Sequence, residues 1–252
     1  MKNPWIEFLQ GKQNHRFHKL DAEHAFSFNS ALGGRKSFEL ASHLEPFPYL
    51  GNPKAPVIVL LANPGKSAKE NSKTFKPSKS KLKLANENLL HKGSEDLKLR
   101  LHAPNDKTLE SPWFKARTSK LVEATSIEAV AKNLFFVNFH AYHSKSWYPI
   151  PFTFHTQQYS FYLVRRAISR DAYILMSRNT LGWLTAIPEL VDYKNVGTFK
   201  SSRSVHISEG NLGKRVFNEV VRRISWDFSW KMKVELCLAQ QLRIPRLVKL
   251  KH

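Results

Sequence analysis

Short runs of consecutive apolar residues recur along the chain, separated by polar segments that contain proline and glycine. The clearest runs are VIVLL at 57–61, LFFVNF at 134–139 and AYILM at 172–176, and a less clear one lies at 204–207. Such runs are typical of strands buried in a parallel sheet. Apolar residues at helical spacing predict helices at about 117–132, 157–169 and 212–224. We therefore predict an α/β fold: a three-layer αβα sandwich with a central, mostly parallel four-stranded sheet.

Three segments of different character divide the chain. Residues 1–45 mix aromatic, histidine and charged residues without strong periodicity, and we interpret them as an N-terminal extension. Residues 46–225 hold the predicted sheet, and residues 226–252 form a basic, partly helical tail. No run approaches the ~18 apolar residues of a spanning helix, and the N-terminus lacks a signal-peptide core, so we expect no membrane insertion.

The 252 residues carry 40 Lys and Arg against 20 Asp and Glu, a net charge of +20. Such a charge attracts polyanions, and nucleic acid is the commonest because each neutralised phosphate releases counterions; a membrane surface is the competing partner. The apolar fraction of 42% excludes a disordered chain. The single cysteine, Cys237, can form no internal disulfide and no multi-thiolate metal site. We predict a DNA-binding monomer in a reducing cytoplasm, associated with the nucleoid.

The densest positive charge lies in residues 66–100, the basic segment, with ten Lys and Arg against four acidic residues. Serine, asparagine and proline between the charges indicate loops and short helices. The segment is either a solvated loop or a surface that faces phosphates. In the second interpretation Lys73, Lys76 and Lys79 bind the DNA backbone.

Polar residues follow several of the predicted strands, where ligands bind in open α/β sheets. The first strand ends in Asn63-Pro64-Gly65, and the second contains Asn138. The fourth leads into HISEGN at 206–211 and then into a predicted helix. Because the carboxyl ends of parallel strands meet at one edge of a sheet, we expect these groups to share a crevice.

These motifs resemble the uracil-DNA glycosylase superfamily. PYLGNPKAPVIVLLANPG is similar to its first motif in the mismatch-specific and single-strand-selective branches, and HISEGN is similar to the His-Pro-Ser-Pro-Arg-Asn of the latter. NLFFVNFHAYHS resembles the middle strand whose asparagine reads the base. The resemblance covers about residues 46–225 and implies a uracil-DNA glycosylase-like fold. It also implies a monofunctional DNA glycosylase without metal or organic cofactor.

The chemistry of base excision suits these residue types. A pyrimidine leaves as an anion while the sugar becomes oxocarbenium-like, so a water must be positioned and negative charge stabilised. Asn63 is the candidate for the water, and His206 for a hydrogen bond to the departing base. The amide of Asn138 offers a donor and an acceptor, which match uracil or, flipped, cytosine. Each of the three residues has a structural alternative, as a turn, a cap or a loop tie.

Further residues are assigned to the base and to the phosphates. An extruded base needs an aromatic platform; Phe75 lies where family members place one, and Phe139 is the rival. Gly65, Ser208 and Asn211 are assigned to DNA phosphates, since unsatisfied N–H groups at a helix start favour an anion. Helix capping is the alternative for Ser208.

Two positions depart from the family pattern. Ile207 replaces a proline, and Gly210 stands where a bulky side chain usually fills the space left by the flipped base. Two other functions stay open: a non-catalytic nucleic-acid-binding protein with this fold, and a nuclease, which requires clustered carboxylates for metal. His140 and His143 have a spacing compatible with metal, but no completing ligands are evident, so we predict no metal.

Overall fold

The computed structural model describes residues 1–11, 15–72, 74–201 and 204–225. It has an α/β fold around one mixed sheet, in the order β1-β3-β2-β4-β5. The strands are β1 (Tyr49–Gly51), β2 (Val57–Leu61), β3 (Leu134–Asn138), β4 (Tyr173–Met176) and β5 (Val196–Thr198). Strands β3, β2, β4 and β5 are parallel, and β1 pairs antiparallel with β3 at one edge. The predicted α/β class and mostly parallel sheet are confirmed.

Helices cover the sheet on both sides. They are α1 (Trp5–Gln10), α2 (Ala22–Ala31), α3 (Lys79–Leu89), α4 (Gly93–Leu101), α5 (Pro112–Ala124), α6 (Ile127–Asn133), α7 (Gln157–Ile168), α8 (Thr180–Ala186), α9 (Glu209–Leu212) and α10 (Lys214–Ser225). Short 3-10 helices lie at Lys69–Asn71, Lys107–Leu109 and Pro188–Leu190. None of the helices in these described ranges is long and apolar enough to cross a membrane.

The predicted strand count of four is wrong, because the sheet has five strands. The fourth parallel strand is β5, whereas residues 204–207, which we predicted to be that strand, are not in the sheet. The backbone N–H of Ile207 instead donates to the carbonyl of Arg117 in α5, while Val205 and Ile207 are buried against the helices. The sequence of β5, Val-Gly-Thr, lacks an apolar run because Gly197 packs closely against Val216 of α10.

Alternate strand residues enter two apolar layers. Ile58 and Leu60 of β2 belong to the layer formed with α1, α2, α7 and α8. Val57, Val59 and Leu61 belong to the opposite layer, formed with α4, α5, α6, α9 and α10. The continuous apolar run of β2 is therefore explained by burial on both faces of the sheet.

The predicted N-terminal extension contributes to this core. Trp5 and Phe17 are fully buried in the same apolar layer as Ile58. The buried Asp21 carboxylate accepts hydrogen bonds from the Tyr142 hydroxyl and the Thr156 hydroxyl, both at 2.6 Å. Residues 1–45 thus pack on the sheet, apart from the undescribed residues 12–14; the predicted tail, 226–252, lies outside the described residues.

The predicted helices are present, with different boundaries. The one expected at 117–132 is two helices, α5 and α6, because the Ser126 hydroxyl accepts from the Ala129 N–H and starts a new helix. The one expected at 157–169 is α7, and the one expected at 212–224 is α10 after the single turn of α9. The turn of α9 and the loop that precedes it form one side of the candidate site.

Candidate functional site

The candidate site lies where the four parallel strands end. Leu61 of β2 pairs with Asn138 of β3, and Asn63 follows two residues later, so the first two predicted motifs are neighbours. The loop with His206 follows β5, which is separated from β2 by β4 alone. At a strand spacing of about 4.8 Å, the ends of β2 and β5 lie about 10 Å apart.

Asn63 is half-buried, and its amide is fixed by the loop after β3. Its Nδ2 donates to the Ser144 hydroxyl at 2.8 Å and to the Pro64 carbonyl at 3.1 Å. Both amide hydrogens are therefore used. Among the described residues, the carbonyl oxygen Oδ1 has no hydrogen bond, so it is the atom that can accept from a water.

Asn138 is 1% exposed, at the end of β3. Its Nδ2 donates to the Phe47 carbonyl at 2.8 Å, while its Oδ1 is buried with no partner within the described ranges. An unpaired buried acceptor costs on the order of 1–3 kcal/mol, which a ligand donor would recover. By strand alternation, its side chain lies on the same face as Phe136, towards α5.

His206 is half-buried and held by α5. Its Nδ1 lies 2.8 Å from the Ala116 carbonyl, and because a carbonyl only accepts, Nδ1 carries a hydrogen. In the neutral ring Nε2 is then an acceptor. A hydrogen bond from Nε2 to a departing base therefore requires the imidazolium form, a constraint that the sequence did not reveal.

An open pocket of about 520 Å³ surrounds His206. It is lined by Lys200, Ser201, Ser204, His206, Ser208, Gly210 and Asn211. Four residues of the HISEGN motif therefore line one pocket. The hydroxyl of Ser208, which precedes α9, makes no capping hydrogen bond. The side-chain amide of Asn211 instead holds the loop between β5 and α9. Its Nδ2 donates to the His206 carbonyl at 3.2 Å, and its Oδ1 accepts from the Ser201 N–H at 3.0 Å.

The loop after β2 is anchored by histidines. The carbonyl of the exposed Gly65 accepts from His143 Nδ1 at 2.7 Å, and His43 Nε2 donates to the Glu70 carbonyl at 2.9 Å. Burial lowers the pKa of His143. Burial alone would raise the pKa of Glu70, but hydrogen bonds from Ser67 together with the nearby His143 and Lys81 lower that pKa overall. The loop that follows Asn63 is thus held by hydrogen bonds at several residues.

The two candidate aromatic platforms differ in their surroundings. Phe139 packs within 5.3 Å of Phe161 and 5.1 Å of Trp183, measured between ring centroids, so its ring is part of the core. Phe75 is half-buried, and within the described parts of the chain its ring contacts no other aromatic ring. Phe139 is therefore part of an aromatic cluster in the core, and Phe75 is not.

The predicted phosphate-binding lysines lie at the start of the basic segment. Lys76 and Lys79 are exposed, and Lys79 is the first residue of α3. Lys73 lies outside the described residues. Two helices, α3 and α4, occupy the second half of this segment, and Leu97 of α4 is fully buried. Its first half, as far as it is described, is loop with one short 3-10 helix at Lys69–Asn71.

Sequence reasoning missed Arg117 and Trp113 of α5. The Arg117 guanidinium lies 5.3 Å from the centre of the Trp113 ring, and its buried Nε has no partner among the residues described. Burial lowers the pKa of Arg117, and nearby Arg178 lowers it further. Arg178 lies two residues after the end of β4, at the edge of the sheet that holds the candidate site. The i,i+4 spacing of Trp113 and Arg117 is the one sequence signal, and it is too common to identify a site.

His140 and His143 have different surroundings. Burial lowers the pKa of His140 to about 3, and its ring stacks on Trp147 at 5.3 Å. His143 instead contacts Gly65, as described above. Across the described ranges, no group of three His, Cys, Asp or Glu residues could hold a metal ion.

Comparisons of the chain with protein-family models, curated proteins and solved structures found no match.

Proposed function

We propose that the protein is a monofunctional DNA glycosylase. It would hydrolyse the N-glycosidic bond of a flipped-out uracil-like or otherwise modified pyrimidine and leave an abasic site. One observation carries the proposal. Asn63, Asn138 and His206 follow or end parallel strands, and each is fixed through one polar atom while its second polar atom has no partner in the described part of the chain.

Asn63 supplies the acceptor for the attacking water. Its Nδ2 is held by Ser144, so Oδ1 has a fixed direction before substrate binds. An amide oxygen orients a water but does not take its proton. That suffices where the sugar is already oxocarbenium-like and reacts readily with water.

His206 stabilises the leaving pyrimidine. Nδ1–H is held by the Ala116 carbonyl and His206 lines the open pocket, so Nε2 of the imidazolium form would be the donor to the base. Positive charge from Lys200 on the pocket wall favours the same anion. A preorganised donor aimed at developing charge typically contributes about 3 kcal/mol to the reaction barrier.

Asn138 reads the base through its free acceptor. Because Nδ2 is held by Phe47, Oδ1 is the atom that meets a donor, such as N3–H of uracil or the N4 amine of cytosine. Phe75 would stack on the extruded base, and the exposed Lys76 and Lys79 would contact phosphates. The enzyme would act as a monomer without a cofactor, in repair or in defence against modified viral DNA.

Release of free base from DNA tests the proposal. Single- and double-stranded oligonucleotides that carry uracil or another modified pyrimidine are incubated with the protein, and the free base and the alkali-labile abasic sites are measured. The Asn63→Ala variant, purified in parallel, controls for contaminating enzymes. Tight DNA binding without base release from any substrate would instead identify a non-catalytic binding protein. Strand cleavage without alkali would indicate a nuclease.

A further inference from the structure

The loop after β3 holds a buried serine, Ser144, which is 3% exposed. It lies six residues beyond Asn138, the last residue of β3, and faces the loop after β2. Burying a hydroxyl costs free energy unless the hydroxyl is hydrogen-bonded. The partners of this hydroxyl therefore indicate its role.

The Ser144 hydroxyl has one donor partner and one acceptor partner. Its oxygen accepts from Asn63 Nδ2 at 2.8 Å, and its hydrogen is donated to the Ser146 carbonyl, with 2.8 Å between the oxygens. A hydroxyl has a single hydrogen and a carbonyl can only accept, so that hydrogen is committed to Ser146. The Ser144 oxygen therefore presents a lone pair to Asn63, and this lone pair can meet only a donor.

This arrangement decides which way the Asn63 amide faces. An asparagine amide has an NH2 group on one side and a carbonyl oxygen on the other, and a half-turn exchanges them. The Pro64 carbonyl, 3.1 Å from Nδ2, is a second acceptor. A reversed amide would place Oδ1 against two acceptors, unless Ser144 gave up its hydrogen bond to Ser146. Nδ2 therefore faces Ser144, and Oδ1 is directed away from it.

The loop that carries Ser144 is itself held by the segment before β1. The Ser146 N–H donates to the Ser37 carbonyl at 2.8 Å, and the Ala41 N–H donates to the His143 carbonyl at 2.8 Å. Hydrogen bonds to this segment thus lie on both sides of Ser144. Because the acceptor of the Ser144 hydrogen is anchored in this way, the hydroxyl has little freedom to turn towards Asn63.

We propose that Ser144 is a positioning residue, which holds the Asn63 amide so that Oδ1 is the atom presented to the attacking water. The inference rests on the proposed function, in which Asn63 orients that water. Ser144 is buried and acts only through Asn63. The segment before β1 contributes to the site by the same hydrogen bonds, because it anchors the loop from which Ser144 acts.

The test compares two serines whose buried hydroxyls donate to backbone carbonyls. Ser144→Ala removes the acceptor for Asn63 Nδ2. Ser177→Ala is the matched control, since Ser177 is 5% exposed, directly follows β4 and donates to the Leu60 carbonyl at 2.6 Å. Each change deletes one buried hydroxyl, so both variants should fold and lose a similar amount of stability. Thermal unfolding midpoints measure that loss.

The hold on the amide is measured first, without DNA. In protein labelled with ¹⁵N-asparagine, the side-chain signal of Asn63 is the one that Asn63→Ala lacks, and its hydrogen exchange with water is followed. Ser144→Ala should exchange about tenfold faster than the wild type, equal to about 1.4 kcal/mol for one lost hydrogen bond. Ser177→Ala should exchange as the wild type does. Equal exchange in Ser144→Ala and the wild type would overturn the proposal.

Catalysis is measured separately, as single-turnover base release in a double-mutant cycle. Ser144→Ala alone should slow base release about tenfold, and Ser177→Ala should stay within about twofold of the wild type. In the Asn63→Ala background, Ser144→Ala should change the rate less than about twofold, because the amide through which it acts is already absent. Equal slowing in both backgrounds would overturn the proposal and make Ser144 a structural residue.

The two measurements separate this inference from the proposed function. Exchange that depends on Ser144, without base release from any DNA, would refute the glycosylase and retain Ser144 as the residue that directs the Asn63 amide. Base release at equal rates by the wild type and Ser144→Ala would retain the glycosylase and refute the positioning role.

Discussion

The two halves of the candidate site differ in burial and charge. The half after β2 and β3 holds two asparagine amides, fixed by hydrogen bonds, and Asn138 is almost fully buried. The half after β4 and β5 is open, with a pocket of about 520 Å³ and positive charge on Lys200. Arg117 and Arg178 lie beside this half.

This difference in burial and charge indicates that the two halves of the site suit different parts of a ligand. Buried amides have fixed directions and few competing waters, so they suit the reading of a base and the placing of one water. Open cationic groups suit phosphates, whose recognition needs charge more than direction. Variants of the first half should therefore change rates, and variants of the second half should change DNA affinity. His206, which lies in the open half but has a proposed role at the leaving base, is the exception.

The largest effect is expected for Asn63→Ala. We predict that base release slows about 10³-fold, the upper end of the range for losing one preorganised polar group at the reacting centre. DNA affinity should stay within about twofold, because the proposed role of Asn63 is to orient a water and not to hold the bound DNA. Single-turnover rates and equilibrium binding to the same oligonucleotide measure both quantities.

Asn52→Ala is the matched control for this variant. Its amide likewise donates to a backbone carbonyl, that of Lys132, but it follows β1 at the opposite edge of the sheet. It should retain the wild-type rate. Wild-type activity in Asn63→Ala would remove the residue from the mechanism and leave it as a turn residue before Pro64.

His206→Ala should slow base release about 10²-fold, the cost of one preorganised donor. Since Nδ1–H is held by the Ala116 carbonyl, Nε2 is the ring atom left to meet the base. His102→Ala, at an exposed histidine, is the control and should retain the wild-type rate. A loss below about threefold in His206→Ala, which is under 1 kcal/mol, would make His206 a structural residue.

Three of the five strands, β2, β3 and β4, and the polar residues at the ends of β2 and β3 were predictable, whereas the orientation of the side chains was not. The runs of β2, β3 and β4 are apolar because both faces are buried, which left Asn63 and Asn138 visible as polar interruptions. Strand β5 was missed since Gly197 replaces a large side chain where α10 packs close. The role of Asn211 as a loop tie depends on backbone carbonyls that no sequence pattern specifies.

Arg117 was missed for a related reason. Its environment combines a neighbour on the same helix, Trp113, with a residue that is distant in the sequence, Arg178 after β4. We predict that Arg117→Gln weakens DNA binding about tenfold, equal to 1.4 kcal/mol, and lowers the slope of log affinity against log salt by about 0.9. The single-turnover rate at saturating protein should change less than about threefold, as expected for the open half.

Arg35→Gln is the matched control. Arg35 also lies over an aromatic ring, with its guanidinium 5.1 Å from the centre of Tyr148, but it belongs to the segment before β1. Both variants remove one positive charge, so a general effect of net charge would appear equally in both. An unchanged salt slope in Arg117→Gln would exclude a phosphate contact at this position.

The smallest effect is expected in the basic segment, where Lys76 and Lys79 are exposed. Exposed lysines bind phosphates as hydrated point charges, so each should add little to the affinity. Each should nevertheless change the salt dependence of binding as much as any other phosphate contact, because it releases the same counterions. The double variant Lys76→Gln, Lys79→Gln should bind duplex about threefold to tenfold more weakly at low salt and reduce the salt slope by about 1.8, twice the share of one contact. Lys54→Gln, Lys194→Gln removes the same charge from exposed residues near the opposite edge of the sheet, where β2 and β5 begin. If the two double variants lower the slope equally, the basic segment acts only through net charge, and the phosphate contacts lie in the open half alone.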